Sequence, residues 1–291
     1  MDLPIVVGVD GSEPSLRALD WAADEAALRG APLRLVYASL RERYEGALIA
    51  QELGKPAEEV MAQDVVGTAR HRVERRHPGV RVATDVLPDE PEYGLVRESR
   101  TALAMVLGRR GRSGMTEALL GSVSLTVAGH AHCPVIVLRG SHDNRTRSGI
   151  RGRIVLGVRE KPTGSAAVRL ATEEALLRAV PLEAVRAWGR RPAHATTGHA
   201  LLVGEPAHLR EQDAAEAVEE ALGDAPADLE VLRRTVEGHA RDALIAASHD
   251  ADLLVVGARR RHGHVGLQLS RVAHGVLHHA VCPVAVVPEF S

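Results

Sequence analysis

The amino-acid sequence predicts an α/β protein of two tandem domains, each a five-stranded, mostly parallel sheet with helices on both faces. Three observations support this prediction. Short β-rich runs alternate with helical runs, the same order returns in the second half, and 291 residues suit two domains of ordinary size. Alternation favours parallel strands, because a crossover helix returns the chain to the end of the sheet where the previous strand began.

The first half supplies the strands and helices in alternation. The apolar run PIVVGV is followed by a pattern of helical period, and a break at Gly30 and Pro32 separates this helix from the β-rich run LRLVYA. Later runs repeat the alternation. The predicted strands lie at 4–9, 33–38, 80–87, 103–108 and 134–138, and the predicted helices at 14–29, 57–76, 93–102 and 122–131.

The second half repeats the first at a constant offset of 149 residues. IVVGVD at position 5 recurs as IVLGVR at position 154, and HAHCPVIVL at 130 recurs as HAVCPVAVV at 279. Two further pairs of segments share the offset, which indicates a tandem duplication without net insertion. The repeat predicts domains at 1–140 and 153–291, joined by a linker at 141–152 that is rich in Gly, Ser, Asn and Arg.

Composition excludes several classes of function. The formal net charge of −2 gives no general attraction to nucleic acid or membrane, and 2% aromatic residues leave little material for stacking bases. No apolar run approaches the roughly 20 residues of a membrane span. The first residues lack the features of a signal peptide, and two cysteines make no disulfide framework, so the sequence predicts a cytoplasmic protein without nucleic-acid or membrane partners.

A glycine-rich loop follows the fourth predicted strand. Gly108 and Gly111 are followed after nine residues by Gly121 and Ser122, a spacing that matches neither the Walker loop nor the dinucleotide-binding loop. Glycine permits positive φ and leaves the main chain open to an anion. A helix that begins near Ser122, with Ser122 as its N-cap, would direct its N–H groups at the loop. The loop therefore predicts a phosphate site.

This spacing, with the flanking SVS and HAHCPV runs, resembles the universal stress protein family, whose ATP-binding members carry G-x-x-G-x9-G-[ST]. The resemblance covers nearly the whole chain, in two copies. It implies Rossmann-like domains of the adenine-nucleotide α-hydrolase-like group, with ATP as the ligand, alone or with Mg²⁺. It also implies that the last strands pair between domains with approximate two-fold symmetry, and a homodimer through these strands is our preference.

Residues at the carboxyl edge of the first sheet are the expected nucleotide contacts. Asp10 ends the first strand and Gly108 ends the fourth, so the fold brings both to one edge. By resemblance, Asp10 lies near the ribose or phosphates, Gly8 and Val9 line the cleft, and the backbone around Ala38 contacts adenine. Asp10 could instead only cap the next helix. The resemblance adds phosphate contacts at Arg109, Arg110, Gly111, Arg112, Ser113, Gly114, Gly121, Ser122, Val123 and Ser124.

The second copy departs from the motif. Arg159 stands at the position of Asp10, Arg260 at that of Gly111, Ser270 at that of Gly121 and Arg271 at that of Ser122. Side chains at 260 and 270 should obstruct the approach of an anion to the backbone, so we expect this copy not to hold ATP in the family's manner. Two accounts remain open, a degenerate domain kept for pairing and a site adapted to another anion by its arginines.

Other candidate residues favour structural roles. Cys133 and Cys282 occupy equivalent places before the last strand of each copy, which favours a small buried role over catalysis or redox chemistry. His130 and His132 lie beside Cys133, but the second copy keeps only one of the two histidines. No second pair of ligands is evident, so we expect no metal site.

These features favour an ATP-binding regulator in the stress response that acts through an unknown protein partner. We expect no dedicated catalysis, because the sequence has no pyrophosphatase loop after the first strand and no nucleophile beside a base. Slow ATP hydrolysis or self-phosphorylation on a nearby serine stays open as an alternative. A scaffold protein that binds no nucleotide is the other alternative.

Overall fold

The structure is a computed structural model, and it describes residues 2–39, 57–109, 120–139, 152–159, 165–189, 206–260 and 269–290. The first half contains β1 (Ile5–Gly8), α1 (Glu13–Arg29), β2 (Leu33–Ala38), α2 (Ala57–Arg76), β3 (Val82–Leu87), α3 (Pro91–Glu98), β4 (Ala104–Gly108), α4 (Ser122–His130) and β5 (Val135–Leu138). The second contains β6 (Ile154–Gly157), α5 (Ala166–Arg178), β7 (Leu182–Trp188), α6 (Ala207–Ala221), β8 (Val231–Glu237), α7 (Ala240–Ala247), β9 (Leu253–Arg260), α8 (Arg271–His279) and β10 (Val284–Phe290).

Every predicted element of the first half is confirmed within two or three residues at its ends, except one. The helix predicted at 93–102 begins earlier, at Pro91, and its α-helical part ends at Glu98. A 3₁₀ turn at Ser99–Thr101 completes it. Proline at the first helical position explains the early start, since its fixed φ suits a helix and its missing N–H needs no partner there.

The strands of both halves form one ten-stranded sheet, in the order β3-β2-β1-β4-β5-β10-β9-β6-β7-β8. Pairing is parallel within each half, and β5 pairs with β10 antiparallel. In that pairing Ile136 lies opposite Ala285, and Ala285 is the residue that corresponds to Ile136 in the repeat of 149 residues. An approximate two-fold axis therefore passes between these residues, which confirms the pairing that the family resemblance implies.

This join uses both edges of the last strands. β5 lies between β4 and β10, and β10 lies between β5 and β9. Neither strand has a free edge for a second chain, so a homodimer through these strands would require the two halves to separate. The homodimer stays a prediction, and it needs another surface.

The sheet carries one layer of helices on each face. Alternate residues of β1 point to opposite faces, with Ile5 and Val7 in one apolar cluster and Val6 in the other. The first cluster includes residues of α1, α2, α5 and α6, and the second includes residues of α3, α4, α7 and α8. None of the helices among the described residues is long and apolar enough to cross a membrane.

A buried ring of four charged side chains joins α1 to α5. Glu25 and Arg29 are the counterparts of Glu174 and Arg178 in the repeat, and Glu25 and Glu174 are only 2% and 3% exposed. Each arginine bonds the glutamate of its own helix and that of the other domain. Arg178 also lies over the ring of Trp21, with its Cζ 5.8 Å from the ring centroid. The ring repeats the two-fold symmetry of the sheet and ties the two halves together.

Candidate functional site

A cleft opens at the carboxyl edge of the first half, where β1 lies between β2 and β4 and the strand order reverses. Its described part has a volume of about 120 Å³. The predicted contacts Gly8, Val9, Asp10, Ala38, Gly108, Val123 and Ser124 line it, together with Ser15, Val36, Pro91, Leu95 and Leu107. The fold therefore brings residues that are far apart in sequence to one place.

Asp10 organises the turn that leads into α1. Its Oδ1 accepts hydrogen bonds from the Ser12 amide at 3.0 Å and from the Ser12 hydroxyl at 2.6 Å. Ser12 is the N-cap of α1, and its Oγ accepts from the Ser15 amide at 3.4 Å. The alternative that Asp10 itself caps this helix is therefore wrong. Asp10 instead fixes the cap residue while its carboxylate lines the cleft.

Gly108 is required by a close approach of two elements. A Cβ on Gly108 would lie 2.6 Å from the carbonyl oxygen of Pro14 and 3.0 Å from the amide of Ser15. These are backbone atoms of the first turn of α1, which cannot move aside without moving the helix. The structure thus gives Gly108 a packing role at the junction of β4 and α1, which differs from the open approach to an anion that the sequence suggested.

The start of α4 corrects one expectation. Gly121 is the N-cap, with φ −67° and ψ 151°, and Ser122 is the first helical residue. The prediction that Ser122 is the N-cap is therefore wrong, and Gly121 does not need positive φ. The Ser122 hydroxyl donates to Oε1 of Glu92 at 3.2 Å. Because glycine has no side chain, the cap residue makes no side-chain hydrogen bond to the first N–H groups of α4, and within the described ranges these groups stay available to a ligand.

Two hydrogen bonds fix the ends of the glycine-rich loop. The carbonyl of Arg109 accepts from the Gly121 amide at 2.8 Å, and the Ser124 hydroxyl donates to the Gly108 carbonyl at 2.7 Å. These two bonds hold the ends of the loop at the cleft. The expected contacts Arg110, Gly111, Arg112, Ser113 and Gly114 lie outside the described residues.

Sequence reasoning missed the apolar floor of the cleft and one charge at its mouth. Val36, Leu95 and Leu107 have ordinary core character, and no local signal distinguishes a cleft floor from a core. Glu92 lies in the first turn of α3, where acidic residues are common for reasons of helix stability alone. Its place beside Ser122 depends on the packing of α3 against α4.

The second half has a cleft at the equivalent place, and its described part has a volume of about 480 Å³. Here the N-cap of α8 is Ser270, whose Oγ accepts from the Ala273 amide at 3.1 Å. The side chain of Ser270 thus accepts a hydrogen bond from a backbone N–H group of α8, whereas Gly121 has no side chain that could bond the equivalent N–H group of α4. Arg159 replaces the carboxylate of Asp10 and donates to the Gly257 carbonyl at 3.5 Å.

The cysteines and nearby histidines show no reactive arrangement. Both cysteines are buried, and burial raises the pKa of the Cys133 thiol to about 12. A thiol with so high a pKa is a poor nucleophile at neutral pH. Within the described ranges, no three His, Cys, Asp or Glu side chains gather as metal ligands would.

The last helix of the second half approaches the first half at a cationic cluster. Nη1 of Arg139 donates to the Leu277 carbonyl at 3.0 Å, and the His274 and His278 rings lie 4.4 Å apart. Burial lowers the pKa of His278, and the nearby His274, His279, Arg139 and Arg109 lower it further. Burial and the charge of Arg109 also lower the pKa of Arg139, to about 10. The domain contact beside the glycine loop therefore favours neutral His278.

We expect the protein to lose stability as the pH falls below about 6.5, the ordinary histidine pKa. Because the pKa of His278 is lowered in the folded state, the unfolded chain binds the proton first. The free energy of unfolding then declines until the pH passes below the folded-state pKa. Urea unfolding at pH 7.5 and 5.5 measures the loss. The variant His278→Gln should lose less than the wild type, whereas His208→Gln, at an exposed position on α6, should behave as the wild type.

Comparisons with known proteins agree with the duplicated fold. The model of the universal stress protein family matches residues 3–139 and 151–288. A universal stress protein of Mycobacterium tuberculosis is 30% identical over 300 residues, which cover 97% of this chain and 96% of that protein. One from Mycolicibacterium smegmatis is 28% identical over 303 residues, with 97% and 96% covered. The crystal structure of a universal stress protein from Archaeoglobus fulgidus has a TM-score of 0.67 at 16% identity over 98% of both chains, which shows the fold alone.

Proposed function

Because the chain belongs to the universal stress protein family, with a family domain in each half, we propose that it is a nucleotide-dependent regulator in the stress response. In this proposal the domain at 1–140 binds ATP, the domain at 153–291 does not, and the protein acts in the cytoplasm. The observation that carries it is the convergence of an apolar cleft, a carboxylate and an open helix N-terminus at the reversal of strand order.

The apolar end of the cleft suits the base of the nucleotide. Val36, Ala38 and Leu95 form its walls, and its described volume of about 120 Å³ is below the roughly 300 to 1,000 Å³ of a complete small-molecule site. It therefore fits one end of a nucleotide rather than the whole. A flat heterocycle between aliphatic side chains would gain burial there without leaving a charged group desolvated.

The polar end suits the ribose and the phosphates. Oxygens of Asp10 can accept hydrogen bonds from sugar hydroxyls, as carboxylates do. The open N–H groups at the start of α4 and the positive end of its dipole favour an anion. These groups would hold phosphates and orient them. Mg²⁺ would supply further charge neutralisation on the phosphates.

ATP binding can be tested by giving the N-terminus of α4 a cap residue with a side chain, as α8 has. The variant Gly121→Asp puts a carboxylate over the N–H groups of α4, as Ser270 puts a hydroxyl over those of α8. It should retain or raise the thermal stability, since Asp is a strong N-cap, but weaken ATP binding at least tenfold in calorimetry. Leu3→Asp, at an exposed residue away from the cleft, is the control.

Mass spectrometry of nucleotide released from purified protein gives the stoichiometry. One adenine nucleotide per chain, lost in Gly121→Asp, would support the proposal. Two per chain would contradict the assignment of a single site. No nucleotide after purification and none on titration would favour the scaffold alternative.

Glu92 should weaken ATP binding in the wild-type protein. Its carboxylate accepts from the Ser122 hydroxyl at 3.2 Å, beside the proposed place of the phosphates. At about 4 Å, like charges in water repel by about 1 kcal/mol. We therefore expect Glu92→Gln to tighten ATP binding about two- to fivefold. Calorimetry at low and high salt measures this, and the gain should shrink at high salt because the repulsion is screened.

A further inference from the structure

The cleft of the second half has the position of a ligand site but different chemistry. It lies at the carboxyl ends of β6, β7 and β9, where the strand order reverses again. Its volume of about 480 Å³ falls within the range of roughly 300 to 1,000 Å³ typical of small-molecule sites.

Three arginines from three neighbouring strand ends line this cleft. Arg159 follows β6, Arg186 lies in β7 and Arg259 lies in β9. The corresponding residues of the first half are an aspartate, a tyrosine and an arginine. The second cleft therefore carries a cation, Arg159, at the position where the first carries the carboxylate of Asp10.

Arg159 and Arg259 have no counter-ion among the described residues that line the cleft. Among the described residues that line the cleft none is a carboxylate, and neither Arg159 nor Arg259 forms an ion pair within the described ranges. Nη1 of Arg159 donates to the backbone carbonyl of Gly257 at 3.5 Å, which leaves the charge of Arg159 unchanged. The carboxylate of Glu289 lies against Gly257, in a small adjoining pocket that also includes Arg159.

Elsewhere in the chain, several partly buried arginines pair with carboxylates. Arg72 and Arg76 form two-pronged ion pairs with Asp20 and Asp24 at 2.6 to 2.7 Å. Guanidinium groups gathered in one cleft repel each other unless an anion lies between them. The planar guanidinium also matches the geometry of a phosphate oxygen pair.

The rest of the cleft is apolar. Val158, Val185, Leu244 and Val256 form a floor and wall beside the arginines. Inorganic phosphate would leave this surface in water. A ligand that carries both a phosphate group and an apolar ring or chain would use both parts of the cleft.

We propose that the second cleft binds an organic phosphate with an apolar body, its phosphate held by Arg159, Arg186 and Arg259 and its body packed against Leu244 and Val256. The site is independent of the proposed ATP site of the first half. In the first half, backbone N–H groups at the start of α4 are the proposed phosphate donors. In the second half, Ser270 already bonds one of the equivalent N–H groups, and guanidinium side chains take over this role.

Calorimetric titration of the full-length protein with 4-nitrophenyl phosphate tests the proposal. Inorganic phosphate and 4-nitrophenol each carry one half of the probe. We expect the whole probe to bind at least tenfold more tightly than either half. Equal affinity for inorganic phosphate would overturn the role of the apolar floor, and no binding of the probe at millimolar concentration would overturn the site.

Four variants locate the probe. Arg159→Met should weaken binding at least tenfold, and Arg259→Met, at an exposed residue whose replacement leaves packing intact, should weaken it severalfold. Arg81→Met removes an exposed arginine of the first half and should have no effect. Asp10→Ala alters the first cleft and should also have no effect on this probe. Binding that is lost in Asp10→Ala but kept in both arginine variants of the second cleft would place the probe in the first half and overturn the proposal.

Discussion

Replacing Arg178 with methionine is expected to lower the free energy of unfolding by about 3 to 5 kcal/mol. Arg178 bonds Glu174 on its own helix and Glu25 of the other domain, the latter at 2.6 Å. Its removal leaves two almost fully buried carboxylates with one arginine between them, and an uncompensated buried charge is costly because the interior solvates it poorly. Urea unfolding followed by circular dichroism measures the loss.

The symmetry of the ring provides a matched control. Arg29 is the counterpart of Arg178, so Arg29→Met should cost a similar amount. Arg72→Met removes a two-pronged pair with Asp20 that is partly exposed, and should cost about 1 kcal/mol or less. Equal effects of Arg178→Met and Arg72→Met would show that burial of the ring contributes nothing to its strength.

Simultaneous replacement of all four charged residues separates the net stabilisation by the ring from the cost of breaking it. A well-packed apolar set in place of a buried ion network is often neutral or stabilising. We therefore expect a quadruple variant with methionine or leucine at these positions to be more stable than Arg178→Met alone. The ring would then serve mainly to specify how the two domains dock, since an apolar contact would permit other arrangements of α1 and α5.

Much of the fold could be predicted because its signals are local or repeated. Apolar runs bounded by Gly and Pro located the strands, and helical periodicity located the helices. The constant offset of 149 residues made the two halves equivalent, and the resemblance to the universal stress protein family implied the pairing of their last strands. In the structure, the equivalent residues Ile136 and Ala285 lie opposite each other, as a symmetric pairing of two repeats requires.

What could not be predicted depends on contacts across space. Glu25 lies between Ala22 and Ala26 on the buried face of α1, but only the docking of α5 supplies its second arginine. The N-cap of α4 was misplaced by one residue, because a serine is the commoner cap and the open end is a property of the assembled cleft. The hydrogen bond from Ser122 to Glu92 likewise depends on the packing of α3 against α4.

Filling the apolar end of the first cleft is expected to weaken ATP binding at least 100-fold. Ala38 lies at the end of β2, partly exposed and on the cleft wall, opposite Gly94. In Ala38→Phe the new ring would occupy the described volume of about 120 Å³ that we assign to the base. A 100-fold loss corresponds to about 2.8 kcal/mol, which is the scale of burying one large apolar group. Calorimetric titration with ATP measures it, and thermal unfolding checks that the fold persists.

The repeat offers the control at the matching position, Ala187, which lines the second cleft. Ala187→Phe should leave ATP affinity and the stoichiometry of one per chain unchanged, because the second cleft is not the proposed ATP site. If Ala187→Phe lowers ATP binding and Ala38→Phe does not, the two halves have been assigned in reverse. If neither variant matters, the base does not enter these clefts, and the open N-terminus of α4 holds the phosphates without help from the apolar floor. Each outcome identifies which physical feature of the duplicated edge selects the ligand.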